Sequence, residues 1–136
     1  MMKTGLIFGA ALTLAACTTG SNAARPFDDP AVQKLYTMST PLYFATLKVA
    51  NDVARNCDGY RYDAALDAEL NEKRNEMGRG SLSAHPLRLA IETETGVSER
   101  SFAAKHGVEM TGEDLCPAAA AEVLEGTALS ALLVPV

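Results

Sequence analysis

Two cysteines set far apart in the body of the chain, Cys57 and Cys116, place the tightest constraint on its fold. They can form a bridge only in an oxidising compartment, and the first sixteen residues bear on that. In MMKTGLIFGAALTLAA, Lys3 precedes an apolar run from Gly5 to Ala16. A helix that crosses a bilayer needs about 20 apolar residues, so this run is too short to anchor the chain. A charged start, a short apolar centre and small residues at the end describe an export signal that is removed. In an exported chain an even pair of cysteines reads as a disulfide. Closing a loop of about 60 residues contributes about 4 kcal/mol in the chain-entropy account. Redox catalysis is the functional alternative, but the pair is too widely spaced for a C-x-x-C motif.

The third cysteine closes the signal. Leu14-Ala15-Ala16-Cys17 resembles the lipobox of bacterial lipoproteins, in which the cysteine is acylated through sulfur and becomes the first mature residue. The resemblance implies three acyl chains on Cys17, and each buried CH2 adds about 0.8 kcal/mol to membrane binding. Thr18 follows, and not the aspartate that retains such proteins in the inner membrane, so the resemblance implies an outer-membrane lipoprotein facing the periplasm. A competing cut lies at Ser21-Asn22-Ala23, where a small-x-small pattern would release a soluble periplasmic form lacking Cys17. The expected organisation is a signal over 1–16, a lipidated flexible tether over 17–29 and a helical domain over 30–136. The twelve residues TTGSNAARPFDD would reach about 20 Å.

Removing residues 1–16 takes away Lys3 and no acid, leaving 11 basic against 17 acidic side chains and a formal charge of −6. Duplex binding needs clustered lysine and arginine, whereas here the cations are scattered among acids, so nucleic acid is excluded as a partner. An apolar fraction of 48% is enough for one small core.

Helical periodicity dominates what remains, predicting an all-α fold, a small irregular bundle of about five helices closed by one disulfide. Thr40-Pro41 offers a helix start, after which Tyr43, Leu47, Ala50, Ala54 and Cys57 recur along one face. A second helix is expected from about Tyr62 to Met77, with Leu66, Leu70 and Met77 inward and Glu69 paired with Lys73. His85-Pro86 opens a third helix carrying Leu87, Ala90 and Ile91, which Gly96 should end. Ser98 can cap a fourth that buries Phe102 and stops at Lys105-His106-Gly107. Asp114 is preferred over Thr111 as cap of the fifth, because that register puts Pro117 in the first turn, where no amide is needed. Gly126 ends it, and Thr127 can cap a last turn. The bridge would then hold the end of the first long helix against the start of the last.

From Asn56 onward the order of parts resembles a family of small exported alphaproteobacterial proteins with two cysteines. The shared parts are Asn56-Cys57, Lys105-His106-Gly107-Val108, Leu115-Cys116 with Glu122, and Gly126-Thr127 through Leu132-Leu133. The stretch from Gly78 to Gly96 departs from that pattern. The resemblance implies export and a helical fold, and brings no activity.

Chemistry-bearing patterns are sparse. His85 and His106 are the histidines, too few and too far apart for a zinc site. His106 sits in a last helical turn, where a cation offsets the helix dipole. Glu69, Glu72 and Glu76 share a face, but Lys73 and Arg74 interleave with them, which describes a solvated surface. Glu92 and Glu94 point apart, Asp28-Asp29 and Asp58-Gly59 lack the alternation of a calcium loop, and Gly78-Arg79-Gly80 is a helix stop. No catalytic residue, metal or cofactor is therefore expected. The apolar end Leu129, Leu132, Leu133, Val134 and Val136 is expected to complete the core, the alternative being an arm for a partner or lipid. The leading expectation is a non-enzymatic, membrane-anchored envelope protein that binds another envelope component, with an apolar-ligand module as the alternative. An enzyme using unpaired carboxylates is a third.

Overall fold

Asp29 accepts hydrogen bonds from the amides of Ala31 and Val32 and so opens the first helix, α1 (Pro30–Tyr36), with proline in its first turn. The computed structural model describes residues 22–136. The expected export signal over 1–16 and Cys17 lie outside the described residues.

Helix α2 (Thr40–Arg55) follows and is the central element. Its buried stripe is wider than a single row. Tyr43 and Ala50 join a cluster with Ala31, Val32, Leu35, Leu66, Leu70 and Leu132, while Val49 and Val53 join a second with Phe102, Leu115, Ala118, Ala119 and Leu133. One helix thus serves both halves of the core. Strand β1 (Tyr60–Tyr62) comes next, then α3 (Ala64–Glu76), two 3₁₀ turns over 81–83 and 85–87, α4 (Arg88–His106) and α5 (Cys116–Glu125). A 3₁₀ turn (Leu129–Leu132) leads into β2 (Leu133–Pro135), antiparallel to β1 with Tyr60 opposite Pro135 and Tyr62 opposite Leu133. Two strands this short do not persist alone; the helices beneath them supply the support. The fold is mostly helical, and the Cys57–Cys116 disulfide closes it with Cα atoms 4.8 Å apart. Beside the bridge the amide of Leu115 donates to the carbonyl of Asn56 at 2.9 Å, so the end of α2 and the start of α5 do meet at one pole.

Several expectations are corrected. The proposed third and fourth helices are one helix, α4, which runs through Gly96. Glycine inside a helix costs only about 1 kcal/mol, and packing of α4 along α2 outweighs that. A stop needs the left-handed conformation that Gly107 (φ 62°) and Gly126 (φ 63°) adopt at the ends of α4 and α5. Leu87 and Ala90 are exposed. In α3, Leu66 and Leu70 are buried, but Met77 is exposed, and Lys73 lies over the Phe27 ring, 4.7 Å from its centroid, not beside Glu69. Asp114 accepts from the amide of Cys116 at 2.9 Å one residue ahead of the assigned cap, and Pro117 falls in the first turn. Leu132 and Leu133 are core residues, while Val136 is exposed. Residues 23–29, expected to be tether, pack onto the domain. Ala23 and Phe27 lie against the first cluster, and the amide of Ala24 donates to Asp63 at 2.9 Å.

Candidate functional site

Helix α4 ends against α5, and their meeting point gathers the polar residues singled out by motif. Glu122, on α5, is buried. Its Oε1 accepts from Lys105 Nζ at 2.7 Å and lies 2.7 Å from His106 Nε2, while its Oε2 accepts from the hydroxyl of Thr127. Lys105 also reaches Glu125 at 2.8 Å, and the His106 ring rests on Phe102 with centroids 4.6 Å apart. His106 therefore answers a carboxylate as well as the end of its helix. Burial alone would raise the pKa of Glu122, but hydrogen bonds from Lys105, Thr127 and His106 outweigh it and hold the carboxyl below its ordinary range. The same bonds to Glu122 and Glu125 raise Lys105.

This arrangement is a lock and not a catalytic triad. Nucleophilic catalysis needs the imidazole between hydroxyl and carboxylate, so that it can take the hydroxyl proton. Here the carboxylate stands in the middle, and Thr127 spends its proton on Glu122. The lock makes a pH prediction. A depressed carboxyl pKa contributes stability that is present above the unfolded value near 4.5 and is lost as pH falls through the folded value. Glu122→Gln should then cost about 1–3 kcal/mol at pH 7, as expected for charge-assisted hydrogen bonds. The gap between the two proteins in urea melts should begin to narrow below about pH 4.5 and close as pH falls through the folded value. On the alkaline side, the raised Lys105 contributes stability that is lost only above its unfolded value of 10.5.

A second polar centre was hidden in the sequence. Arg74, expected on the wet side of α3, is fully buried. Its Nη1 donates to the carbonyls of Tyr36 at 2.6 Å and Met38 at 3.0 Å, and its Nε to that of Arg79 at 3.1 Å. Its Nη2 reaches the Thr40 hydroxyl at 3.5 Å, and the guanidinium lies 4.1 Å from the centroid of the Tyr43 ring. Burial lowers its pKa, yet a guanidinium stays charged in water at neutral pH. Three of these bonds go to main-chain carbonyls and the fourth to Thr40, joining the end of α1 and the start of α2 to the end of α3. No sequence pattern announces such a role, because carbonyls carry no residue identity.

Nearby, the Tyr62 hydroxyl donates to Asp67 at 2.8 Å, and Tyr43 Oη is buried with no hydrogen-bond partner among the described residues. Burial raises the pKa of Asp67, against the pull of Tyr62, and raises both tyrosines. The carboxylate of Asp114 lies within 4.8 Å of the sulfurs of Cys57 and Cys116. Bridged sulfurs are not thiolates and hold a metal poorly, so this trio is read as structural.

The remaining feature is the surface of α4. A cleft of about 410 Å³ between α2 and α4 is lined by Phe44, Lys48, Ile91, Glu92, Thr95, Gly96 and Glu99. The outward face of the helix carries Leu89, Thr93, Val97, Ser101 and Ala104, all exposed and interrupted by Arg100. Leu82 and Leu89 are 84% and 70% exposed. A surface helix ordinarily turns charges to solvent; α4 does so with Arg88, Glu92 and Lys105, while the stripe from Leu89 to Ala104 holds the single charge of Arg100. No helix among the described residues is long and apolar enough to cross a membrane. No known protein family, curated protein or solved structure matches the chain.

Proposed function

We propose that the protein is a non-enzymatic, lipid-anchored domain of the bacterial cell envelope, held by Cys17 to the outer membrane, that binds another envelope protein through α4. The observation that carries the binding half is the exposure of Leu89 and Val97 on one stripe of α4, continued by Leu82 in the preceding turns. Large side chains gathered on one exposed stripe in this way suit a protein contact. The buried polar groups support the non-enzymatic half, since Arg74 and Glu122 are occupied in holding elements together. The lipobox resemblance supports the anchor.

A photo-crosslinking residue at position 89, expressed in cells, should give one discrete adduct, and Val97→Glu should abolish it without moving the melting temperature. A position-89 probe that yields no adduct would overturn the binding role. For the anchor, Cys17→Ser should leave the mature protein without acyl chains and free of membranes; a variant still acylated would refute it.

Two observations favour other readings. The cleft between α2 and α4 falls within the usual size range for small ligands, about 300–1,000 Å³, and its apolar floor of Phe44 and Ile91 suits a lipid or other apolar molecule. A ligand co-purifying in native mass spectrometry would select that reading. A cut after Ala23 would put the new amino terminus at Ala24, whose nitrogen is 2.9 Å from the buried Asp63 carboxylate. A charged amine there would make an ion pair, and the protein would be soluble in the periplasm.

A further inference from the structure

We infer that the acylated end holds one particular pole of the bundle, the pole of Asp63 and the Cys57–Cys116 bridge, against the lipid surface, and points the start of α4 away from it. The inference rests on the anchoring reading and adds a direction to it.

The direction follows from how little free chain remains. Residues 24–29 are fastened. The amide of Ala24 donates to Asp63, Arg25 pairs with Asp29 at 3.3 Å, and Gln33 Nε2 donates to the Phe27 carbonyl at 2.6 Å. The Phe27 ring meets Tyr36 edge-on, with centroids 4.9 Å apart. Between Cys17 and Ala24 the chain takes seven steps, which span at most about 25 Å when fully extended. The headgroup layer of one leaflet takes up about 5–7 Å of that. A domain of this size has a radius of gyration of about 13 Å, hence a diameter of about 34 Å. The link is shorter than the body it holds, so the docked end stays close to the lipid and the domain cannot turn over.

Which residues stand near and far is set by the run of the helices. The start of α3, at Asp63, receives the amino-terminal segment. Strand β1 lies just before it and connects back to Cys57, so the disulfide shares this near pole. Helix α3 then runs 13 residues, about 20 Å, to the far pole. There Arg74 binds the carbonyls of Tyr36 and Met38, so the end of α1 and the start of α2 also lie at that pole. The two 3₁₀ turns follow, with exposed Leu82, and α4 begins beyond them. The start of α4, with exposed Leu89, is thus carried at the end remote from the anchor, facing whatever occupies the periplasmic space.

The chain has no tryptophan, so a single introduced one reports its own position. The full-length acylated protein would be reconstituted in phosphatidylethanolamine–phosphatidylglycerol vesicles containing a lipid spin-labelled at the headgroup. Ala64→Trp, at the exposed start of α3, should be quenched several-fold more than Leu89→Trp, with Ala68→Trp between them. The order of the 68 and 89 probes still reads the direction if the 64 variant does not fold. Equal or reversed quenching in protein that is acylated and vesicle-bound would overturn the orientation and leave the anchor standing. Protein of unacylated mass that stays in solution would overturn the anchor, and the orientation with it.

Discussion

Arg74→Met is expected to destabilise the domain by about 3–5 kcal/mol, lowering the urea midpoint with little change in slope. Methionine keeps much of the volume packed against Tyr43 but donates nothing. The carbonyls of Tyr36, Met38 and Arg79 would lose a buried partner together, and each unsatisfied buried group costs about 1–3 kcal/mol. Total stability of a domain this size is only about 5–15 kcal/mol, so the variant should be near the edge of folding. Arg74→Lys separates charge from geometry. An ammonium retains the positive charge but cannot serve Tyr36 and Arg79 from the two sides of a planar fork, so it should recover less than half of the loss. A methionine variant as stable as the parent would show that the guanidinium does not hold the three helices together.

Cys57→Ser should cost about 4 kcal/mol, because a bridge spanning 59 residues restricts the unfolded chain strongly. At roughly 4 °C of melting temperature per kcal/mol, the transition should fall by about 15 °C. Dithiothreitol should lower the parent to the same point and leave the variant where it is. Loss at this position should also loosen the near pole, where Leu115 and Asn56 share a backbone hydrogen bond beside the bridge. An unchanged transition in the serine variant would mean that the two sulfurs do not stabilise the fold.

Both residues bear on how far the chain can be read unaided. The disulfide was legible because pairing requires only compartment and parity. The central helix α2 and the inward Leu66 and Leu70 were legible from periodicity, and the burial of Leu132 and Leu133 from the need of a small core for its apolar end. Arg74 was not, since its partners are main-chain carbonyls, and an arginine among glutamates looks solvated in any one-dimensional reading. The short α1 was missed although Asp29-Pro30 carries a cap and a first-turn proline. Strand β1 is three residues long, below the length at which alternation can be recognised. The continuity of α4 through Gly96 is a tertiary effect, imposed by the flank of α2. Lys105, His106, Glu122 and Thr127 were visible as pieces of motif, but their convergence on one carboxylate required the fold.

The account depends most on the fate of the three cysteines, and the intact mass of the protein purified from its own membranes, taken before and after reduction, tests all three together. The predicted species begins at Cys17, carries acyl chains and gains two hydrogens on reduction. A species that begins elsewhere without acyl chains, or one whose mass does not change on reduction because its thiols are already free, would contradict it.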